Sequence, residues 1–403
     1  MNRQKPIPIS GIGCVCAAGG SLSDCMDTLF TRAPVPGPPV SCPGSQHPVF
    51  QVPDRFMPED NSLHPAGTRA ARLAQKAAEE ALADAGLTPE LLCGKKVGVL
   101  IGTNVSGGVS NRSLQLQSAG GVKETGSRLC CPSPAERFLA INPAQWIARH
   151  FNFSGPCQTI VNACSAGSDA IGLAGSWIRS GRCDMVIAGG VDAFYEVTYY
   201  GFIALMNCDI EPCKPFDACR NGLNLGEGAG VMVLESDRML AHRGKSARAF
   251  VSGYGMASDA HHFTAPDPDA GGLRLAVQDA LISAGARPSD IAFINAHGTG
   301  TRDNDRIESH LFHGMFPDVP FGSTKGYTGH TLGASGAIEA AFTISCLERQ
   351  LAPASAGFSE PDPELPAHPV RESTPVCGAL ALSETLAFGG NNSVLIFSTE
   401  NRS

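Results

Sequence analysis

The amino-acid sequence predicts an α/β fold built from two similar halves, residues 1–250 and 251–403, stacked as a layered sandwich of sheets and helices. Apolar strands without alternating polar residues, such as 185–188 and 231–234, are typical of strands covered on both faces. Strands that alternate with helices indicate mixed or parallel sheets enclosed by helices. We therefore expect two α/β halves that pack together around shared helices of small residues.

An internal repeat is the observation that divides the chain in two. An apolar strand with two glycines, a helix that ends in glycine and then proline, and a small-residue helix each occur twice, in the same order. Three matches in one order indicate a duplication rather than chance. The three pairs are 9–14 with 251–256, 81–89 with 280–288, and 168–171 with 335–338.

Composition narrows the class of protein. The 403 residues are 43% hydrophobic and 17% charged, which is typical of a globular chain and excludes disorder. Thirty basic against 38 acidic residues give a net charge of −8, which argues against nucleic-acid or anionic-membrane partners. No apolar stretch reaches the roughly 18 residues of a membrane span, and prolines interrupt the N-terminal segment where a signal peptide would be apolar. We expect a cytoplasmic protein.

Fifteen cysteines without a secretion signal predict reduced thiols. The cluster Cys208, Cys213 and Cys219 and the pair Cys130–Cys131 lack the spacing of zinc sites, so buried free thiols are the favoured interpretation.

Cys164 is the cysteine for which the sequence predicts chemistry. It lies in the segment 160–174, where an apolar strand runs into a helix of alanine, glycine and serine. Backbone N–H groups and the dipole at such a helix start favour a thiolate. The alternative is an inert buried cysteine, but the strand–Cys–helix order is that of a nucleophile elbow and favours a catalytic thiol.

Two histidines occupy comparable positions in the second half. His297 follows the apolar strand 291–294, and His330 precedes the helix that repeats the one after Cys164. Strand ends from both halves can converge on one pocket. A cysteine with two histidines could also bind zinc; the glycine-rich flanks favour substrate access, and the zinc alternative stays open.

These motifs resemble those of the elongating β-ketoacyl-acyl carrier protein synthases, the fatty-acid and type II polyketide ketosynthases of the thiolase fold. The motifs ACSAG at 163–167, NAHGTGT at 295–301 and KxxTGHxxG at 325–333 occur in the family's order, and the resemblance extends from residue 9 to residue 393. It implies an acyltransferase that condenses an acyl thioester with malonyl-acyl carrier protein and releases carbon dioxide. It implies no cofactor beyond the phosphopantetheine that carries the substrates.

The resemblance also implies the catalytic roles. Cys164 would carry the acyl chain, and His297 and His330 would donate hydrogen bonds to the malonyl thioester oxygen. Lys325 and Glu308 would form a buried pair that orients the histidines.

Five further residues would contact the substrate. The backbone N–H of Phe388 would complete an oxyanion hole with that of the nucleophile, and its ring would act as a gate. Thr299 and Thr301 would bind the phosphopantetheine amides, and Val105 and Phe263 would wall the acyl pocket.

The implied partners are an acyl carrier protein and a second chain, as a homodimer or as a heterodimer with a similar ketosynthase, through the strand 159–162. The basic docking patch expected for a carrier protein is sparse, with candidates Arg69, Arg72, Lys123 and Arg128, and the segment 202–205 lacks the arginine common in the family. The segment 389–392 reads GGNN, where the family commonly has GGTN.

Two alternatives accompany this hypothesis. A thiolase-type, CoA-dependent enzyme would need a second cysteine near residues 386–391, where none is present, and CoA-primed synthases have asparagine in place of His330. A non-catalytic chain-length factor, which shapes the pocket of a partner ketosynthase, would lack Cys164.

Overall fold

The computed structural model describes residues 4–57, 68–92, 95–104 and 142–401. Its strands, in chain order, are β1 (Ile7–Cys16), β2 (Val97–Gly102), β3 (Cys157–Ile160), β4 (Met185–Asp192), β5 (Gly228–Glu235), β6 (Ala249–Ser258), β7 (Ile291–Asn295), β8 (Phe321–Gly322), β9 (Leu351–Ala352), β10 (Thr374–Pro375), β11 (Leu380–Ala387) and β12 (Asn391–Ser398). Its helices are α1 (Leu22–Leu29), α2 (Arg69–Asp84), α3 (Pro89–Leu92), α4 (Pro143–His150), α5 (Ala166–Arg179), α6 (Glu196–Ala204), α7 (Asp237–Arg243), α8 (Gly271–Ala284), α9 (Arg302–Met315), α10 (Lys325–Thr328) and α11 (Ser335–Arg349).

Ten of the strands form one mixed sheet in the order β3-β2-β4-β5-β1-β6-β12-β11-β7-β8. The first five come from the first half of the chain and the last five from the second half. The two sets join where β1 pairs antiparallel with β6, with Ile7 opposite Val251. The division predicted at residue 250 falls inside β6, so the assignment of residues 1–250 and 251–403 to separate domains stays a prediction.

The repeated glycine strands are packed in the same way in both halves. A Cβ atom added to Gly11 in β1 would lie 2.1 Å from the carbonyl oxygen of Ala81 on α2. A Cβ atom added to Gly253 in β6 would lie 2.3 Å from the carbonyl oxygen of Ala280 on α8. The second glycine of each strand approaches its helix equally closely, one turn earlier. The sequence repeat therefore corresponds to one packing arrangement used twice: a helix backbone in contact with a strand that has no side chain there.

The third repeated segment forms the central layer. Helices α5 and α11 contact each other and strands of both halves, whereas α2 and α8 cover the outer faces. The two central helices cross so closely that a Cβ atom at Gly336 would lie 1.9 Å from the Ser168 hydroxyl oxygen. The result is the predicted layered α/β sandwich, in which the two parts of the ten-stranded sheet form the sheet layers, and the predicted strands at 185–188, 231–234 and 291–294 are all present.

The Pro- and Gly-rich stretch 33–53 has no regular helix or strand of its own. Residues 106–135, a second stretch rich in glycine and serine, lie outside the described residues. Across the parts of the chain that the structure describes, no helix is both long and apolar enough to cross a bilayer.

Candidate active site

A cavity of about 370 Å³ brings together candidate residues from both halves. Cys164 from the first half and His297, His330 and Phe388 from the second half all line it. A larger cavity, of about 810 Å³, is lined mainly by residues 34–55 and contains neither the cysteine nor the histidines. We take the smaller cavity as the site, because it is where the reactive side chains converge.

Cys164 lies in the turn between β3 and α5, with 3% of its surface exposed. The preceding residue, Ala163, has φ 47°, a left-handed conformation that costs a residue with a side chain about 1–2 kcal/mol. Strain of this kind at a turn next to a reactive group indicates a constrained site. The turn therefore has the strand–nucleophile–helix form that the sequence predicts.

The protonation state of this thiol differs from the prediction. Burial raises the pKa of Cys164 to about 12, although the charge of Lys325 and the backbone N–H of Phe388 both lower it. The helix start alone predicts a stabilised thiolate, but desolvation outweighs the favourable groups, so the resting thiol is protonated at neutral pH.

His297 follows β7 and is 2% exposed. The ammonium group of Lys325 lies 3.0 Å from its Nδ1 and also donates to its carbonyl oxygen. Burial, then the charge of Lys325 and the nearby His330, lower the pKa of His297 well below its usual value. An ammonium group can only donate, so Nδ1 is the acceptor and the proton of the neutral ring is on Nε2.

His330 reaches the same state with different partners. Its Nδ1 accepts a hydrogen bond from the backbone N–H of Leu332 at 3.1 Å and lies 3.0 Å from the Ser335 hydroxyl. Burial and the charge of Lys325 lower the pKa of His330 well below its usual value. The two imidazole rings lie 5.2 Å apart, nearly perpendicular. The cavity thus contains two neutral histidines, each with its proton on Nε2.

The predicted pairing of Lys325 with Glu308 is wrong. The Lys325 ammonium lies 2.5 Å from a carboxylate oxygen of Glu339 on α11, and both side chains are buried. Glu308 instead accepts hydrogen bonds from the backbone N–H of Gly298, at 2.8 Å, and from the side chain of Asn304. Glu308 therefore fixes the loop after His297, while Glu339 holds the lysine. The sequence signal for Glu339 is the one charge in the small and apolar run 335–347, a position where charge is rarely buried unless paired.

A further buried carboxyl group, Glu384 on β11, lies next to Glu308. Burial raises the pKa of Glu384 to about 7, and burial together with Glu384 raises the pKa of Glu308 well above its usual range. Two carboxyl groups this close cannot both ionise, so they share a proton near neutral pH. Sequence reasoning did not single out Glu384.

Thr299 and Thr301 line the cavity, with their hydroxyl oxygens 2.8 Å apart. Their loop is held by the buried carboxylate of Asp305, which accepts hydrogen bonds from the backbone N–H groups of Thr299 and Gly300. Their predicted binding of the phosphopantetheine amides stays a prediction.

Phe388 places its ring at the cavity and its backbone N–H at the Cys164 sulfur. The ring stacks on Phe202, with centroids 5.3 Å apart and an interplanar angle of 11°. The glycines that follow, at 389 and 390, both have positive φ, which other residues adopt only with strain.

Two substrate-pocket predictions have other outcomes. Phe263 is 85% exposed and does not line the cavity, so its assignment as a pocket wall is wrong; its carbonyl oxygen instead accepts a hydrogen bond from the backbone N–H of Gly389. Val105 lies outside the described residues, and its role stays a prediction.

Arg69, a candidate residue for docking the carrier protein, already forms ion pairs within the chain. Its guanidinium donates to both carboxylate oxygens of the buried Glu227 and pairs with Asp54. An arginine held this way is part of the fold rather than a free docking charge. Lys123 and Arg128 lie outside the described residues.

The cysteine cluster that the structure brings together is a different one from those considered in the sequence. Cys14, Cys16 and Cys25 are fully buried, with their sulfur atoms all within 4.8 Å of one another. Period-2 spacing on β1 places the first two on one face of the strand.

The chain matches known families along most of its length. The N-terminal domain of the beta-ketoacyl synthases matches residues 4–239, and the C-terminal domain matches residues 248–359. The chain is 31% identical to 3-oxoacyl-[acyl-carrier-protein] synthase 2 of Synechocystis sp., over 98% of both chains. It is 33% identical to the tetracenomycin polyketide synthase ketoacyl synthase alpha subunit of Streptomyces glaucescens, over 90% of this chain and 89% of that one.

A solved structure agrees with these matches. A chain from the complex of a ketosynthase with its chain length factor, from Xenorhabdus doucetiae, superposes with a TM-score of 0.83 and 30% identity, covering 98% of both chains. The fold, the converging cysteine and histidines and these matches agree: the chain belongs to the beta-ketoacyl synthase family, has its thiolase-like fold and is an acyltransferase.

Proposed function

We propose that the cavity catalyses a decarboxylative Claisen condensation between an acyl chain on Cys164 and malonyl-acyl carrier protein. The observation that carries the proposal is the pair of neutral histidines with Nδ1 occupied as an acceptor, which leaves two Nε2–H donors beside one buried thiol. Two N–H donors suit an oxygen that becomes negative during the reaction, because each can donate a hydrogen bond to the new charge.

In the first stage, the Cys164 sulfur attacks the thioester carbonyl of an acyl-carrier protein. The sulfur–acyl bond forms, the pantetheine sulfur leaves, and the proton of the buried thiol leaves with it. The tetrahedral oxyanion is stabilised by the backbone N–H groups of Cys164 and Phe388. A donor of this kind contributes about 3 kcal/mol to transition-state stabilisation.

In the second stage, malonyl-acyl carrier protein enters past Thr299 and Thr301. Its terminal carbon–carbon bond breaks, carbon dioxide leaves, and the electron pair forms an enolate whose oxygen accepts from His297 and His330. The enolate carbon attacks the acyl thioester, and Cys164 departs as the thiolate and is reprotonated. Lys325 acts through His297 by fixing its tautomer, so we assign it a positioning role.

The retained nucleophile and donor pair support a catalytic chain over a non-catalytic chain-length factor. Among the described residues that line the cavity, Cys164 is the one cysteine, which supports a condensing enzyme over a thiolase. The substrates come on a carrier protein and the reaction needs no further cofactor, in fatty-acid or type II polyketide synthesis.

The exposed edge of the sheet at β3 is evidence that a second chain is a partner. Strand β3 is the outermost strand and pairs only with β2 among the described strands. Val161, directly after it, is 68% exposed. An open strand edge beside an exposed apolar residue favours edge-to-edge pairing with another copy or with a similar chain, which would cover both.

The test follows acyl transfer and condensation separately. Wild-type protein incubated with a series of acyl-carrier proteins should gain the mass of the acyl group, and adding malonyl-carrier protein should give β-ketoacyl-carrier protein. Cys164→Ala should gain no acyl mass, with a Tm within a few degrees of wild type because little packing is lost. An acyl adduct that persists in this variant, or a wild type that is never acylated, would overturn the proposal; a monomer by light scattering would contradict the paired edge.

A further inference from the structure

A buried carboxylate behind the nucleophile connects the turn that carries it to the other half of the molecule. Asp169, in the first turn of α5, is 3% exposed. One of its oxygens accepts from the side-chain amide of Asn162 at 2.6 Å and lies 2.9 Å from the Ser165 hydroxyl. These two residues immediately flank Ala163 and Cys164, so one carboxylate oxygen contacts the residues on both sides of the strained turn. We call Asp169 with these hydrogen bonds the clamp.

The other oxygen of Asp169 is bound from the second half. The phenol of Tyr254, on β6, donates to it at 3.0 Å. The Tyr254 ring also lies against α5, where a Cβ atom at Gly172 would come within 2.4 Å of it. Burial and the charge of Asp169 raise the pKa of Tyr254, so the phenol stays protonated and remains a donor.

This connection matters because the reaction needs groups from both halves. Cys164 comes from the first half, whereas His297 and His330 come from the second. A reaction between groups on separate supports loses about a hundredfold in rate for a displacement of 1 Å. The left-handed conformation at Ala163 is also one that the chain would leave if the clamp were removed.

We propose that Asp169, together with Tyr254, is a positioning residue: it holds the Cys164 turn in register with the histidine pair of the second half. The inference rests on the proposed function and deepens it. It concerns the steps that take place at Cys164, of which acylation is measured most directly, because these steps need the sulfur itself at its correct position. Decarboxylation of malonyl-carrier protein without an acyl primer depends on the histidines and not on the clamp.

The decisive experiment compares those two activities in Asp169→Asn. The substitution keeps the shape of the side chain but removes its charge, and an NH2 group replaces one of the two oxygens that accept from Asn162, Ser165 and Tyr254. We expect acyl loading of Cys164 to fall by about a hundredfold, while primer-independent decarboxylation stays within about twofold of wild type. Equal loss of both activities, or loading at the wild-type rate, would overturn the inference.

Tyr254→Phe provides a milder variant in case Asp169→Asn does not fold. It removes one hydrogen bond and keeps the ring against α5, so acyl loading should fall by about tenfold with decarboxylation preserved. Tyr199→Phe is the matched control, since Tyr199 is a buried tyrosine whose hydroxyl donates to the carbonyl of His47 instead. It should change stability by a similar amount and leave acyl loading unchanged. A control that loses acyl loading equally would overturn the inference, whereas a wild type with neither activity would overturn the proposed function as well.

Discussion

The two central helices, α5 and α11, each begin after a segment that contributes to the active site. Different charged residues hold these two segments in place. In the first half, the turn before α5 presents Cys164 and is held by hydrogen bonds to one carboxylate, Asp169. In the second half, the segment before α11 presents His330 and contains Lys325, whose ammonium is held by Glu339 from within the helix. The two central helices therefore begin at segments that present different side chains, Cys164 in one and His330 in the other, and a different buried carboxylate lies beside each segment.

The largest expected effect is on decarboxylation, and it distinguishes the role of the His330 segment from that of the Cys164 segment. His330→Ala should lower decarboxylation of malonyl-carrier protein by about 10²–10³-fold, because one donor to the enolate is lost. Acyl loading of Cys164 should persist in part, since its oxyanion donors are backbone groups of the turn and of Phe388. Mass spectrometry of the acyl-enzyme and release of labelled carbon dioxide measure the two steps. If both steps fell together, the division of labour between the halves would be wrong.

A smaller effect on activity tests whether the Lys325–Glu339 pair fixes the tautomer of His297. Replacing Lys325 alone would leave the Glu339 carboxylate buried and unpaired, at a cost of about 3–5 kcal/mol in the free energy of unfolding. The double variant Lys325→Met with Glu339→Gln avoids that charge. It should fold and lose about 10–100-fold in decarboxylation, because nothing then fixes the proton of His297 on Nε2.

The matched control for the double variant is an exposed ion pair. Lys214 and Glu211 pair at 2.9 Å on the surface, where such pairs contribute little. Lys214→Met with Glu211→Gln should leave both activity and unfolding unchanged. Wild-type decarboxylation in the buried double variant would show that the tautomer of His297 is set by another group.

The sequence predicts the parts of this arrangement that depend on backbone pattern. Glycines at the two strand repeats and small residues in the two central helices leave only one way to pack, so the layers and the convergence of Cys164, His297 and His330 follow from them. Partner choice among buried charges does not follow in the same way. Glu308 and Glu339 lie at nearly equal sequence separation from Lys325, so the sequence allows an ion pair with either. In the fold, α11 passes beside the ammonium group, and the ion pair therefore forms with Glu339.

The desolvation of the Cys164 thiol could likewise not be predicted from the sequence. The helix start after Cys164 is visible in the residues, but the burial that raises the pKa of its thiol arises only when the chain is folded. Phe263 shows the opposite error. An aromatic ring near the site predicts a wall, yet its backbone lies at the gate loop while its ring faces solvent.

The smallest expected effect is on stability, and it arises on the second-half side, where the carboxyl groups cluster. Burial raises the pKa of Glu384 to about 7, against an ordinary value near 4.5 in the unfolded chain. Between these two values the folded protein holds a proton that the unfolded chain has lost. The free energy of unfolding that depends on this group therefore falls as pH rises, by about 1.4 kcal/mol per pH unit for one proton. The two histidines have lowered pKa values and act in the opposite direction below pH 6.5, so the comparison must be between variants.

Glu384→Gln tests the coupled pair, because the amide cannot ionise and no longer raises the pKa of Glu308, while both histidines are kept. Urea unfolding at pH 5.5 and 7.5 should show the variant gaining stability relative to wild type as pH rises, by about 1–2 kcal/mol across that interval. Glu372→Gln, an exposed carboxylate distant from the cavity, should show the same difference from wild type at both pH values. A Glu384 variant whose difference from wild type is constant with pH would mean that the shared proton beside Glu308 is absent. The charge arrangement that distinguishes the second half from the first would then consist of the Lys325–Glu339 pair alone.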